Sequence, residues 1–141
     1  MLDNSDKLQV TGDREQATRD KEMGAPHRNL IVWQKAIKLT VDVYAITNKF
    51  PDEEKYGLTP QLRRAAVSVA SNIAEGCARY NNQEKIQFFL ISRGSISEIE
   101  TQIEISCLLK YLNIDKKKLI LEKLEEINRL LNGLIKSRRR N

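Results

Sequence analysis

Residues 81–111, NNQEKIQFFLISRGSISEIETQIEISCLLKY, decide the fold. Asn81 with Glu84 three residues on is a capping-box pattern, so a helix is predicted from Asn81 to about Tyr111. On a helical wheel Phe89, Ile96, Ile99, Ile103 and Cys107 fall on one side, and Ile91, Ile105 and Leu109 on the other. A helix that is apolar on two sides is buried on two sides. A monomeric helical bundle covers only one of them. The long helix therefore predicts both an all-α bundle and a homo-oligomer.

The flanking segments supply the other helices. Before it, Thr59 is placed to cap and Pro60 suits the first helical position, where its missing N–H is not needed. Leu62, Ala66, Val69 and Ile73 form one apolar line, and Ala65, Ala70 and Ala74 keep the surface small enough for close packing. Gly76 loosens the end of this helix, which runs on to about Arg79. After the long helix, Asp115 reads as a cap, and Ile120, Leu124, Ile127, Leu131 and Leu134 repeat at 4-3-4-3 spacing, a coiled-coil-like seam. A first helix begins near Asn29 with the stripe Ala36, Leu39, Val43, Ile46, Phe50 and stops at Pro51. Residues 51–57 form a polar connection. Four helices with short connections pack most simply as an up-down antiparallel four-helix bundle.

The bundle domain is placed at residues 29–138, with a basic end at 139–141. Residues 1–28 are polar and aperiodic and read as a disordered arm. His27 is taken as a solvent-exposed linker residue, and Met23 as an alternative start that would leave 1–22 outside the native protein. Residues 1–27 carry a net charge of −2 and the remainder +7. That basic balance favours an anionic partner. No apolar run is long enough for a membrane span and the N-terminus has no signal-peptide pattern, so the expected compartment is the cytoplasm, with no membrane partner. Cys77 and Cys107 lack metal-ligand spacing and read as half-buried small apolar residues.

Two sets of polar residues need a role. On the second helix Arg64, Ser68, Ser71, Asn72, Glu75 and Arg79 make a stripe, and on the third Arg93, Ser97, Glu100 and Glu104 make another. A di-iron bundle requires Glu-x-x-His, and nucleophilic triads require a base. No His lies on a helix, so no catalytic residue, metal or cofactor is assigned. The stripes read instead as a structural network or oligomer interface of Arg64, Ser68, Asn72, Glu75, Arg93, Gly94, Ser95, Glu98, Glu100 and Glu104, with Arg63, Arg64, Arg79 and Arg93 pairing the glutamates. Gly94-Ser95 in mid-helix predicts close approach of another backbone. The second set is basic: Arg63, Arg64, Arg79, Lys116, Lys117, Lys118, Arg138, Arg139 and Arg140 are the candidate phosphate contacts for RNA or DNA, without sequence-specific reading. The alternative is a protein-interaction scaffold whose positive charge is incidental.

A family resemblance rests on several of these segments together. They are Leu30-Ile-Val-Trp-Gln-Lys-Ala36, Val43-Tyr44, Phe50-Pro51, the block from Tyr56 to Val69, Ser71-Asn-Ile-Ala-Glu-Gly76, and Gly94-Ser95 with Glu98 and Glu100-Thr-Gln102. Over about residues 29–113 the chain resembles the four-helix bundle proteins encoded in intervening sequences of bacterial large-subunit ribosomal RNA genes, relatives of the accessory variability determinants of diversity-generating retroelements. Ala70, and Cys77-Ala78, depart from the family's Pro and aromatic-Gly. The resemblance implies a homopentameric ring. Through the retroelement relatives it implies nucleic-acid binding and association with a reverse transcriptase or another protein.

Overall fold

The computed structural model describes residues 26–140. Four helices make up the bundle: α1 (Ile31–Thr47), α2 (Leu58–Cys77), α3 (Asn82–Leu108) and α4 (Ile114–Arg140). Each packs on its chain neighbour and α4 closes back on α1, giving the square up-down arrangement. The predicted stripes are its core. Leu39, Leu62, Ile73, Phe89, Ile96, Ile99, Ile103, Leu124 and Leu131 are almost wholly buried. The α4 seam ends on Ile135 where Leu134 was expected, Leu134 being only half-buried, and Ser106 is buried beside a half-buried Cys107.

The helix ends differ from their expected positions for identifiable reasons. A short 3-10 turn, Pro26–Asn29, precedes α1, and the His27 ring meets Trp33 edge-on at 4.9 Å, so His27 is a packing residue and not an exposed linker. Thr59 is not the α2 cap: the helix opens one residue earlier, and the Leu58 N–H donates to the Glu54 carboxylate at 3.3 Å. Asn81 caps α3 as expected, accepting from the Gln83 N–H at 2.7 Å. At α4 the cap is Asn113, accepting from the Lys116 N–H at 2.8 Å, and Asp115 lies inside the first turn. The helix then continues through Arg140, absorbing the expected basic tail.

α3 stops three residues before Tyr111. Lys110 turns into the left-handed region at φ 64°, while the Tyr111 N–H donates to the Ser106 carbonyl and the Lys110 N–H to the Cys107 carbonyl, both at 2.9 Å. These two bonds form a Schellman closure with lysine where glycine is usual. They turn Tyr111 back onto Phe50, ring centroids 5.4 Å apart.

α2 and α3 are the most intimate pair. Their contact is lined by small residues: Ala65, Ala70, Ser92 and Ser95 are buried. The Ser92 hydroxyl donates to the Val69 carbonyl and the Ser95 hydroxyl to the Ser68 hydroxyl, each at 2.9 Å. The close approach expected at Gly94-Ser95 therefore falls on Ser95, with Ser92 one turn before it, and not on Gly94, where a Cβ would meet nothing within 4 Å. Gly76 is the glycine the packing requires. A Cβ there would lie 2.5 Å from Phe89 Cε1 and 3.1 Å from the Lys85 carbonyl oxygen.

Candidate nucleic-acid and oligomer surfaces

Of the expected Arg–Glu pairs, Arg79–Glu75 forms among the described residues, and Arg63, Arg64 and Arg93 find no glutamate there. Arg63 donates to the Thr47 hydroxyl at 2.9 Å and to the side-chain Oδ1 of Asn48 at 3.0 Å, and lies 4.5 Å from the Tyr44 ring centroid. Arg93 reaches Asn132 on α4 at 3.1 Å, not a carboxylate. Arg79 pairs with Glu75 one turn earlier on its own helix. Glu104 pairs with Lys117. Arg64 lines a cleft of about 390 Å³ with Ser68, Ser95 and Glu98 between α2 and α3, without an ion pair among the described residues. Asn72 donates back to Ser68. Among the described residues the interhelical ion pairs are Lys117–Glu104, joining α4 to α3, and Lys35–Glu126 at 2.9 Å and Lys123–Asp42 at 2.6 Å, joining α1 to α4. Long polar side chains on facing helices identify neither partner in sequence, which is why these pairs escape a wheel diagram.

The candidate phosphate contacts separate to opposite ends of the bundle. α4 has 27 residues and thus spans about 40 Å. Lys116, Lys117 and Lys118 open it, and Arg138, Arg139 and Arg140 close it. Arg63, near the start of α2, belongs with the lysines, and Arg79, just past its end, with the arginines. At the lysine end the outer turns bring Lys49, Lys55, Arg63, Lys110 and Lys116–118 together with Asp52, Glu53, Glu54, Glu104 and Asp115, a nearly balanced set. At the arginine end the described residues include Arg28, Arg79, Lys85, Lys136 and Arg138–140 with Glu75 and Glu84 as the carboxylates. The packing of that end is tight: Lys85 donates to the Cys77 carbonyl at 3.2 Å, and both Lys85 and Arg138 act electrostatically on Cys77. Burial nonetheless raises the Cys77 thiol above its usual pKa, which leaves it protonated and a poor nucleophile.

The second flank of α3 is exposed, as its two-sided pattern requires. Ile91, Ile105, Leu108 and Leu109 face outward, with the bare Gly94 among them. Between α3 and α4 lies a groove of about 640 Å³ lined by Ile105, Leu108 and Leu121 and bordered by Glu100, Glu104 and Glu125. Across the bundle Ile37, Val41 and Tyr44 of α1 and Val67 of α2 are also exposed. Lys38, Arg63 and Arg64 stand beside them. Sequence reasoning missed this second apolar face, because Ile37, Val41 and Tyr44 lie just outside the core stripe of α1.

Among the described residues no helix is long and apolar enough to cross a membrane, and no group of three or more His, Cys, Asp or Glu side chains is placed to hold a metal ion.

A family model described as 23S rRNA-intervening sequence protein matches residues 28–133. Among solved structures, a protein of unknown function from the S23 ribosomal protein family of Bacteroides thetaiotaomicron is 22% identical; the match covers 75% of this chain and 99% of that one, with a TM-score of 0.68. At that identity the likeness is one of fold. No curated protein matches the chain.

Proposed function

Since the chain belongs to the 23S rRNA-intervening sequence protein family, we propose that it is a non-enzymatic accessory protein that binds RNA or DNA as a homo-oligomer. The arginine end of the bundle carries this reading, with seven basic side chains, Arg28, Arg79, Lys85, Lys136 and Arg138–140, against two carboxylates among the described residues. Such a surface gathers phosphates and releases counterions on binding, so affinity falls steeply with salt. Self-association repeats the surface in one particle and multiplies its effective affinity.

The two exposed apolar faces support a head-to-tail contact between copies. One is bordered by Glu100, Glu104 and Glu125, the other by Lys38, Arg63 and Arg64. Unlike faces of opposite charge pair heterologously, and a heterologous contact closes into a ring when its rotation permits. The expected particle is a pentameric ring.

Light scattering should therefore give five times the 16.2 kDa chain mass; a monomer would sink the assembly. Titration of the purified protein against labelled structured RNA and duplex DNA at two salt concentrations should show binding that weakens strongly with salt. Absence of binding at low salt would move the reading to a protein scaffold, a partner such as a reverse transcriptase then being sought by nuclease-resistant recovery.

A further inference from the structure

The cleft between α2 and α3 is polar and is left open by the packing. Helical spacing sets its walls: Arg64, Ala65 and Ser68 share one side of α2, and Ser95, Glu98 and Gln102 one side of α3. Ala65 and Ser95 are small, which leaves about 390 Å³ between the longer side chains, room for a small molecule. Arg64 and Glu98 both stand exposed on this cleft, yet their side chains make neither an ion pair nor a hydrogen bond among the described residues.

The neutral groups between them are also incompletely matched. Gln102 gives its Nε2 to the Gln61 Oε1 at 3.4 Å, but its own Oε1 is buried with no partner among the described residues. A buried acceptor without a donor is costly, and a bound group that supplies one removes the cost. The Ser68 oxygen accepts from the Ser95 hydroxyl at 2.9 Å and from Asn72 Nδ2 at 3.0 Å, so its own proton remains to be given.

The cleft thus offers two donors, Arg64 and Ser68, and two acceptors, Glu98 and the Gln102 Oε1. Glu98 repels a simple anion and Arg64 a simple cation; a molecule carrying both charges satisfies both. We propose that this cleft binds a small zwitterion, an α-amino acid with a hydrophilic side chain. Arg64 and Ser68 take its carboxylate, and Glu98 and Gln102 take its ammonium. The preference for a hydrophilic side chain follows from the lining, in which only Ala65 is apolar.

The test is a ligand-observed NMR titration of the full chain with L-glutamine and L-serine as probes and L-leucine as the apolar control. Glutamine and serine should bind saturably and leucine more weakly. Glutaramate, the glutamine skeleton without its ammonium, and L-glutaminamide, without its carboxylate, should each bind about ten-fold more weakly than glutamine. Glu98→Gln should weaken glutamine by about that factor and erase its advantage over glutaramate; Arg64→Gln should erase its advantage over the amide. Both positions are exposed, and an unchanged thermal melt and scattering mass will show that the variants fold and assemble as the parent does. If Arg64→Gln alters the mass, Glu98→Gln decides. Failure of glutamine and serine to bind, equal binding of glutaramate, or a silent Glu98→Gln overturns the proposal. The nucleic-acid reading rests on the arginine end and stands or falls separately.

Discussion

The two ends of the bundle are built from the same parts and differ in what surrounds them. Each has a connection with an exposed tyrosine, a cation near an aromatic ring and a basic run on α4. At the lysine end one member of the run, Lys117, pairs with a carboxylate among the described residues. Glu104 holds Lys117 at 2.5 Å and raises its pKa, while the hydrogen-bonded Lys49 lowers that of Lys116. At the arginine end Arg138, Arg139 and Arg140 have no carboxylate partner among the described residues. A run of like charges therefore says little until the fold shows which carboxylates reach it.

The comparison breaks most easily by charge reversal. Replacing Arg138, Arg139 and Arg140 together by Glu should weaken nucleic-acid binding about a hundred-fold near physiological salt and flatten its salt dependence. The same change at Lys116, Lys117 and Lys118 should shift affinity by no more than about three-fold. Equal losses at both ends would mean that the whole length of α4 tracks the nucleic acid.

Two glycines sharpen the contrast on the side of stability. Gly76→Ala should destabilise the bundle by about 1–3 kcal/mol, because the added methyl strikes Phe89 and the Lys85 carbonyl in the tightest part of the arginine end. Gly94→Ala should raise stability by about 0.5–1 kcal/mol, since its methyl enters open space on a helix. Denaturant midpoints at fixed protein concentration measure both. If Gly94→Ala also lowers the scattering mass, Gly94 lies at the contact between copies.

These glycines also show where the sequence was legible. Period and spacing placed Leu62, Val69, Ile96, Ile103, Leu124 and Leu131 in the core, because burial follows the helical repeat directly. Asn81 was readable as a cap because its role is local. Asn113 was missed in favour of Asp115, two residues on, since both are good caps and only the path of the α3–α4 turn chooses between them. Gly76 and Gly94 look alike in sequence, and the requirement for glycine comes from Phe89, thirteen residues after Gly76 and on another helix. The same holds for the site. The basic clusters could be listed from the sequence, but their division into a more and a less neutralised end depends on Glu104, Asp52 and Glu53 arriving from other segments. The contact of Arg79 with the Phe88 ring was unreadable because Phe88 lies on the far side of the turn.

The smallest effect concerns the lysine end alone. Lys110 holds a left-handed conformation that disfavours any residue with a Cβ, so Lys110→Gly should stabilise the chain by roughly 0.5–1 kcal/mol despite the greater freedom glycine gains when unfolded. Lys110→Ala should give no such gain, because alanine meets the same steric conflict; the pair separates backbone relief from loss of charge. Both substitutions remove a cation from the lysine end. If that end lies outside the nucleic-acid surface, affinity and salt slope stay at their original values while the melting temperature rises for glycine alone. A slope that drops by about one unit with either substitution would place Lys110 against a phosphate and end the distinction between the two ends.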